Sequence, residues 1–114
     1  MKLTGKQIQR YSRQMVLKKI GPIGQIKLLN SKVLVVGAGG LGSPILIYLA
    51  ALGIGNIGII DHDKVDLSNL HRQILFETND VKKQKSKIAS QKIKRINSDI
   101  NVSYYQKKLA PLVK

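Results

Sequence analysis

The feature that most constrains this chain is the run Gly37-Ala38-Gly39-Gly40-Leu41-Gly42. It is set between the apolar, β-branched stretch Lys32 to Val36 (KVLVV) and a second apolar segment, Leu41 to Leu52, closed by Gly53. The first stretch reads as a buried strand and the second as a helix. Gly37, Gly39 and Gly42 fit the pattern G-x-G-x-x-G, in which one glycine permits a tight turn, one admits a phosphate and one allows helix and strand to pack closely. Gly40 lies in the same loop and is counted with the nucleotide-binding glycines. A helix that starts in such a loop offers free N–H groups and a positive dipole end to an anion. Ile57 to Ile60 (IGII) is a second buried strand ending at Asp61, 19 residues after Gly42. An acidic residue at that spacing is placed to bind ribose hydroxyls. A plain turn cap is its structural alternative. Strand, helix and strand make a β-α-β unit, the crossover that a parallel pair requires.

Around this unit the pattern predicts four more elements. Thr4 to Ile20 reads as a helix capped by Thr4, with Ile8, Tyr11, Met15 and Val16 at helical spacing. Gly21, Pro22 and Gly24 break the pattern, and a short helical turn is expected around Gln25 to Leu29. Asp63 to Phe76 reads as an ordered polar loop with one helical turn. Val81 to Asn97 is a third helix, with Ala89, Ile93 and Ile96 on one face and lysines on the other. Asn101 to Gln106 is a third strand. The expected fold is α/β, the first half of a Rossmann-like, doubly wound parallel sheet, with three strands and flanking helices behind an N-terminal helix. The domain division is 1–30 as a helical arm and 31–114 as a β-α-β-α-β core, together a partial nucleotide-binding domain. Three strands are half of such a sheet, so a fragment or truncated product is expected, with an exposed sheet edge and bare apolar helix faces.

Composition narrows the function. The chain has 114 residues, room for one small domain, and a net charge of +14 from 20 Lys+Arg against 6 Asp+Glu. Such charge can attract nucleic acid, phosphates or an acidic protein, or it can be lysine spread over solvated faces. Only Lys82 to Lys94 is a dense run, and aromatic residues are 4%, too few for a base-stacking platform. No nucleic-acid partner is expected. With no cysteine, disulfides, thiolate zinc sites and a cysteine nucleophile are excluded within this chain. Met1 to Arg10 lacks the apolar core of a signal peptide, and Leu41 to Ile54 is too short and interrupted to span a bilayer. A cytoplasmic protein without a membrane partner is expected.

A glycine loop and an acidic strand end mean a ribose and phosphates, which does not separate NAD from ATP. The next segment is more particular. Asp61-His62-Asp63 runs through Asn69-Leu70-His71-Arg72-Gln73, placing two amides and a guanidinium beyond the ribose position. Arg72 offers bidentate hydrogen bonds to phosphate oxygens, and Asn69 and Gln73 orient without adding charge. A dehydrogenase has no need of that cluster. His62 and His71 lack metal-ligand spacing, and no metal ligand is assigned.

These motifs together resemble the ThiF/MoeB/HesA family, relatives of ubiquitin-activating enzymes. The matching features are Tyr11-Ser12-Arg13-Gln14, the Gly37 to Gly42 loop, Asp61-His62-Asp63 and Asn69-Leu70-His71-Arg72-Gln73, from about residue 5 to the end of the chain. The family's lysine falls on Lys85. The resemblance implies an ATP-dependent adenylyltransferase that activates the C-terminal glycine carboxylate of a ubiquitin-like sulfur-carrier protein. Asp61 holds the ribose, with Asp63 beside it; Asn69, Arg72 and Lys85 contact phosphates, supported by Gln73; Arg13 reaches into the neighbouring subunit's site, which implies a homodimer. Mg, and zinc where present, would be bound by residues beyond 114. The plain alternatives are a surface Arg72, a solvated Lys85 in a lysine-rich helix and an Arg13 facing water. One departure stands out: the family has a glycine near the start of the segment leading to Lys85, and this chain has Lys82. The alternative functions are an NAD-binding oxidoreductase fragment and a non-catalytic remnant.

Overall fold

The structure, a computed structural model, describes residues 2–17, 20–39, 42–71 and 75–108. Its elements are α1 (Gly5–Met15), α2 (Gly21–Leu29), β1 (Lys32–Val36), α3 (Gly42–Leu52), β2 (Asn56–Ile60), α4 (Lys85–Ile96) and β3 (Asn101–Tyr105), with single 3₁₀ turns at Leu67–Asn69 and Thr78–Asp80. The three strands form one parallel sheet in the order β1-β2-β3. Val33 pairs with Ile57 and Ile57 with Val102, so one face of the sheet carries Val33, Val35, Ile57, Ile59 and Val102. That face packs against α3 and α4, where Leu46, Ala50, Ala89 and Ile93 are fully buried. Burying each large aliphatic side chain there contributes roughly 1.5–3 kcal/mol relative to leaving it in water.

The other face is bare. Leu34 is 54% and Val36 56% exposed, so KVLVV alternates instead of being buried on both sides. A parallel strand shows an unbroken apolar run when helices cover both faces. Among the described residues they cover one.

Three boundaries differ from the pattern in the sequence. Helix α1 starts where expected: the Thr4 hydroxyl accepts from Gln7 N and the Gln7 side chain accepts from Thr4 N, a reciprocal cap. It ends at Met15 instead of Ile20, and of its apolar positions only Tyr11 is buried; Ile8 is 49% exposed. Helix α2 is longer than the turn expected, because Pro22 lies in its first turn, where a missing N–H costs nothing. Helix α4 starts at Lys85 instead of Val81. The residues before it, 82–84, turn beside 63–65 and are tied to them by main-chain bonds and one antiparallel bridge, Lys64 to Gln84: Lys82 N donates to Val65 O, Val65 N to Lys83 O, and Lys85 N to Asp63 O. Lys82 has φ of 72°, the left-handed region that favours glycine. The position where the sequence departs from the family it resembles is thus one where the backbone favours a glycine. Ile96, expected on the buried face, is partly exposed at the last turn.

Candidate nucleotide site

The carboxyl end of β2 is tied to the glycine loop through one side chain. Asp61 is buried, and its Oδ2 accepts from Ala38 N at 2.7 Å while its Oδ1 accepts from Asp63 N at 2.8 Å. Backbone bonds extend the join: Gly37 N donates to Ile60 O at 2.7 Å and Asp61 N to Tyr105 O at 3.1 Å. The loop is braced from behind by Ser43, whose buried hydroxyl donates to Ala38 O at 2.8 Å and whose N–H reaches Gly39 O. Gly37 has φ of 92°, and a Cβ on Gly42 would lie 2.0 Å from Gly37 O. Both therefore need to be glycine, the first for its backbone angle and the second for the close approach of loop and helix. A cleft of about 230 Å³ opens here, lined by Gly37, Asp61, His62, Asp63, Lys107 and Lys108 among others.

On the far side of this corner stands Lys85, the first residue of α4. It is 5% exposed, so it is not the solvated surface lysine its neighbours suggest. Its Nζ lies 4.0 Å from Asp63 Oδ2, and its N–H caps onto Asp63 O. Asp63 also meets His62 Nε2 at 3.1 Å. Burying an ammonium requires such a partner or an anionic ligand. Asn69 closes the 3₁₀ turn Leu67–Asn69. That turn is set by Asp66, which accepts from both the N–H and the hydroxyl of Ser68 at 2.9 Å. The Ser68 N–H, with the hydroxyl behind it, holds the Asp66 carboxyl below its ordinary range. Asn69 N then donates to Asp66 O at 3.0 Å.

Of the residues singled out from the sequence, Gly37, Gly39, Gly42, Asp61, Asp63 and Lys85 come together at one end of the sheet, joined by the bonds above. Arg72, Gln73 and Gly40 lie outside the described residues. Arg13 is exposed on the outer side of α1, while its motif neighbours Tyr11 and Gln14 turn inward. Tyr11 donates to Asp99 at 3.0 Å, and Gln14 donates to Leu52 O and to the Gln25 side chain. Ligand atoms of Asp61, His62 and Asp63 lie within 4.8 Å of one another. Both Asp61 oxygens already take backbone hydrogens and Lys85 flanks Asp63, so this trio is not assigned an ion. Ser43 and Ala38 were missed from sequence. Ala38 acts through its N–H, which no residue type encodes, whereas a serine one step past the last glycine was a readable signal.

The whole arrangement has relatives. The ThiF family model matches residues 11–113. A sulfur carrier protein adenylyltransferase from Thermus thermophilus is 44% identical over 109 residues, covering 96% of this chain and 40% of its relative. The adenylyltransferase and sulfurtransferase UBA4 of Vanderwaltozyma polyspora is 53% identical over 104 residues, covering 90% of this chain and 24% of its relative. Among solved structures, PaaA superposes with a TM-score of 0.88 at 35% identity, over 95% of this chain and 36% of that one. MccB of E. coli, crystallised with ATP, superposes with a TM-score of 0.80 at 36% identity, over 90% and 31%. The chain thus spans between 24% and 40% of the length of these curated relatives. With a family match over most of its length, and with the glycine loop joined to an acidic strand end, this chain belongs to the ThiF family.

Proposed function

We propose that this chain supplies the nucleotide-binding half of an ATP-dependent adenylyltransferase. The second substrate is the C-terminal glycine carboxylate of a ubiquitin-like sulfur-carrier protein. One observation carries the reading. A buried Asp61 is clamped by two amides against the glycine loop, with a buried Lys85 held across the same corner by Asp63. Each Asp61 oxygen retains a second lone pair, enough to accept from ribose hydroxyls. Loop N–H groups and the start of α3 suit phosphates. Lys85 supplies positive charge in a place where water screens it little. A nicotinamide-dependent oxidoreductase shares the first two features and has no use for the third. Relatives named as sulfur carrier and molybdopterin-synthase adenylyltransferases point the same way.

In this reading the carrier's carboxylate attacks the α-phosphorus, an acyl-adenylate forms and pyrophosphate leaves. The nucleophile is ionised near neutral pH and needs no general base. The protein's work is positioning and charge stabilisation. Lys85, Asn69 and Arg72 hold phosphate oxygens, Gln73 supports them, and Asp63 fixes the Lys85 ammonium. A bound Mg²⁺ would supply counter-charge for the pyrophosphate oxygens; none of this chain's own residues is assigned to hold it. Arg13, exposed on α1, is free to serve a second copy of the chain, the arrangement expected of a homodimer. Residues 31–114 form the core of the unit and 1–30 its arm.

The test is isotope exchange between ATP and pyrophosphate with a carrier ending in Gly-Gly. Exchange that depends on the carrier and disappears when its last glycine is removed is expected. Tight NADH binding with no exchange would overturn the reading.

A further inference from the structure

A second concave surface lies at the start of α4, away from the glycine loop. It encloses about 490 Å³ and is lined by Lys64, Lys82, Lys83 and Lys87 together with Gln84 and Gln91. Ile88, buried, forms its floor. All four lysines are exposed.

None of them has a carboxylate of its own. The chain holds six acidic residues. Asp61 takes two backbone amides; Asp63 faces His62 and Lys85; Asp66 takes Ser68; Glu77 and Asp80 share Lys92; Asp99 takes Tyr11 and Gln7. Among the described residues no ion pair reaches Lys64, Lys82, Lys83 or Lys87. Four like charges around one hollow repel one another, and a bound anionic surface relieves that. Lys82 adds an independent sign. Its φ of 72° costs a non-glycine residue about 1 kcal/mol or more, and backbone strain of this kind concentrates where a side chain serves binding.

We infer that this groove docks an acidic segment of the polypeptide partner. This deepens the adenylation reading and rests on it for the partner's identity. The lining chooses between polyanions. It has no arginine and no aromatic ring, the residues that read and stack nucleic acid. Lysine ammoniums and glutamine amides pair instead with scattered side-chain carboxylates. The groove also begins one residue from Lys85, at residues 82–84, so a chain anchored there lies close to the nucleotide corner.

The experiment uses the full chain, a labelled ten-residue oligo-glutamate peptide and a labelled ten-nucleotide RNA, read by fluorescence anisotropy at low salt. Substituting Lys64→Gln, Lys83→Gln and Lys87→Gln together should weaken peptide binding about tenfold, the sum of three modest charge contacts. The exposed control set Lys2→Gln, Lys6→Gln and Lys27→Gln makes the same charge change and should weaken it less than about twofold, through the long-range field alone. Lys82→Gly removes a groove charge and the strain together, so peptide affinity should fall while the melting temperature rises; a folding defect cannot produce that pair. Equal losses in both triple variants overturn the proposal, as does RNA that binds more tightly than the peptide and loses more on groove substitution. ATP binding is measured alongside. If ATP does not bind but the groove set still discriminates, the adenylation reading fails and the docking groove stands. If ATP binds normally and the sets are equal, the groove alone fails.

Discussion

Two polar corners hold this molecule together, and they are built on opposite rules. At one, Tyr11 from α1 meets the end of α4. Asn97 donates to Tyr11 Oη at 2.9 Å and to Ala50 O at 2.8 Å, and its own oxygen accepts from Asp99 N at 3.0 Å. The Tyr11 hydroxyl donates a hydrogen bond to Asp99, which also accepts from Gln7. Tyr11 and Asn97 are each 1% exposed, and each polar side-chain atom of the pair has its partner. At the other corner, Asp61 is bonded just as firmly, yet each oxygen keeps a lone pair and the site opens onto a cleft. A saturated cluster is a fastener. A cluster with acceptor capacity left over, facing open space, is a place for a ligand. The two corners should therefore respond differently to mutation: the first in stability alone, the second in stability and binding together.

The largest effect is expected at Gly42. Alanine there would put a Cβ 2.0 Å from Gly37 O and 2.9 Å from Gly37 C, both backbone atoms that cannot swing aside. Gly42→Ala should cost about 3 kcal/mol, at the upper end of overpacking costs, and abolish nucleotide binding. Chemical denaturation and ATP titration read the two effects. Normal ATP affinity in the variant would mean the loop is not the phosphate cradle. Next comes Asp61→Asn. Asparagine offers one acceptor oxygen, and its NH₂ must face one of the two amide donors. About 1–3 kcal/mol of stability should go, with an ATP affinity loss of roughly tenfold or more. A variant that loses stability and keeps its ATP affinity would reduce Asp61 to a fastener and erase the contrast between the corners.

How far the sequence disclosed each corner follows from which groups do the work. The three parallel strands, the glycine loop and Asp61 were legible because they depend on residue type at fixed spacing. Lys85 was legible only through family resemblance, since nothing in a lysine-rich helix distinguishes the one lysine that is buried. The bridge between residues 63–65 and 82–84 was not legible: it is made of main-chain bonds, and the helix expected from Val81 starts only after it. The Tyr11 corner was half legible. Helical spacing marked Tyr11 as inward, but its partners lie 86 and 88 residues away, beyond any local pattern. Ile8 misled for the same reason, since its face of α1 is apolar in sequence with little packed against it.

The smallest effect, and the sharpest separation, is expected from Tyr11→Phe. The ring stays and the hydroxyl goes, leaving Asn97 one donor short of a partner and Asp99 without the tyrosine proton. The cost should be about 1–2 kcal/mol. ATP affinity should not move, because nothing in this cluster touches the glycine loop. The hydroxyl also leaves a signature in pH. Burial, above the smaller influences of Asn97 and Asp99, pushes the Tyr11 pKa up from its ordinary 10.0. The folded chain therefore keeps this proton more tightly than the unfolded chain does. Its contribution is fully present below pH 10 and is lost as pH rises through the raised value. Denaturation midpoints of the two proteins should differ by a constant amount up to about pH 10 and draw together from there through the raised value. A gap that stays constant into strong alkali would mean the hydroxyl acts through shape alone, and a fall in ATP affinity would show that the fastener and the nucleotide corner are coupled after all.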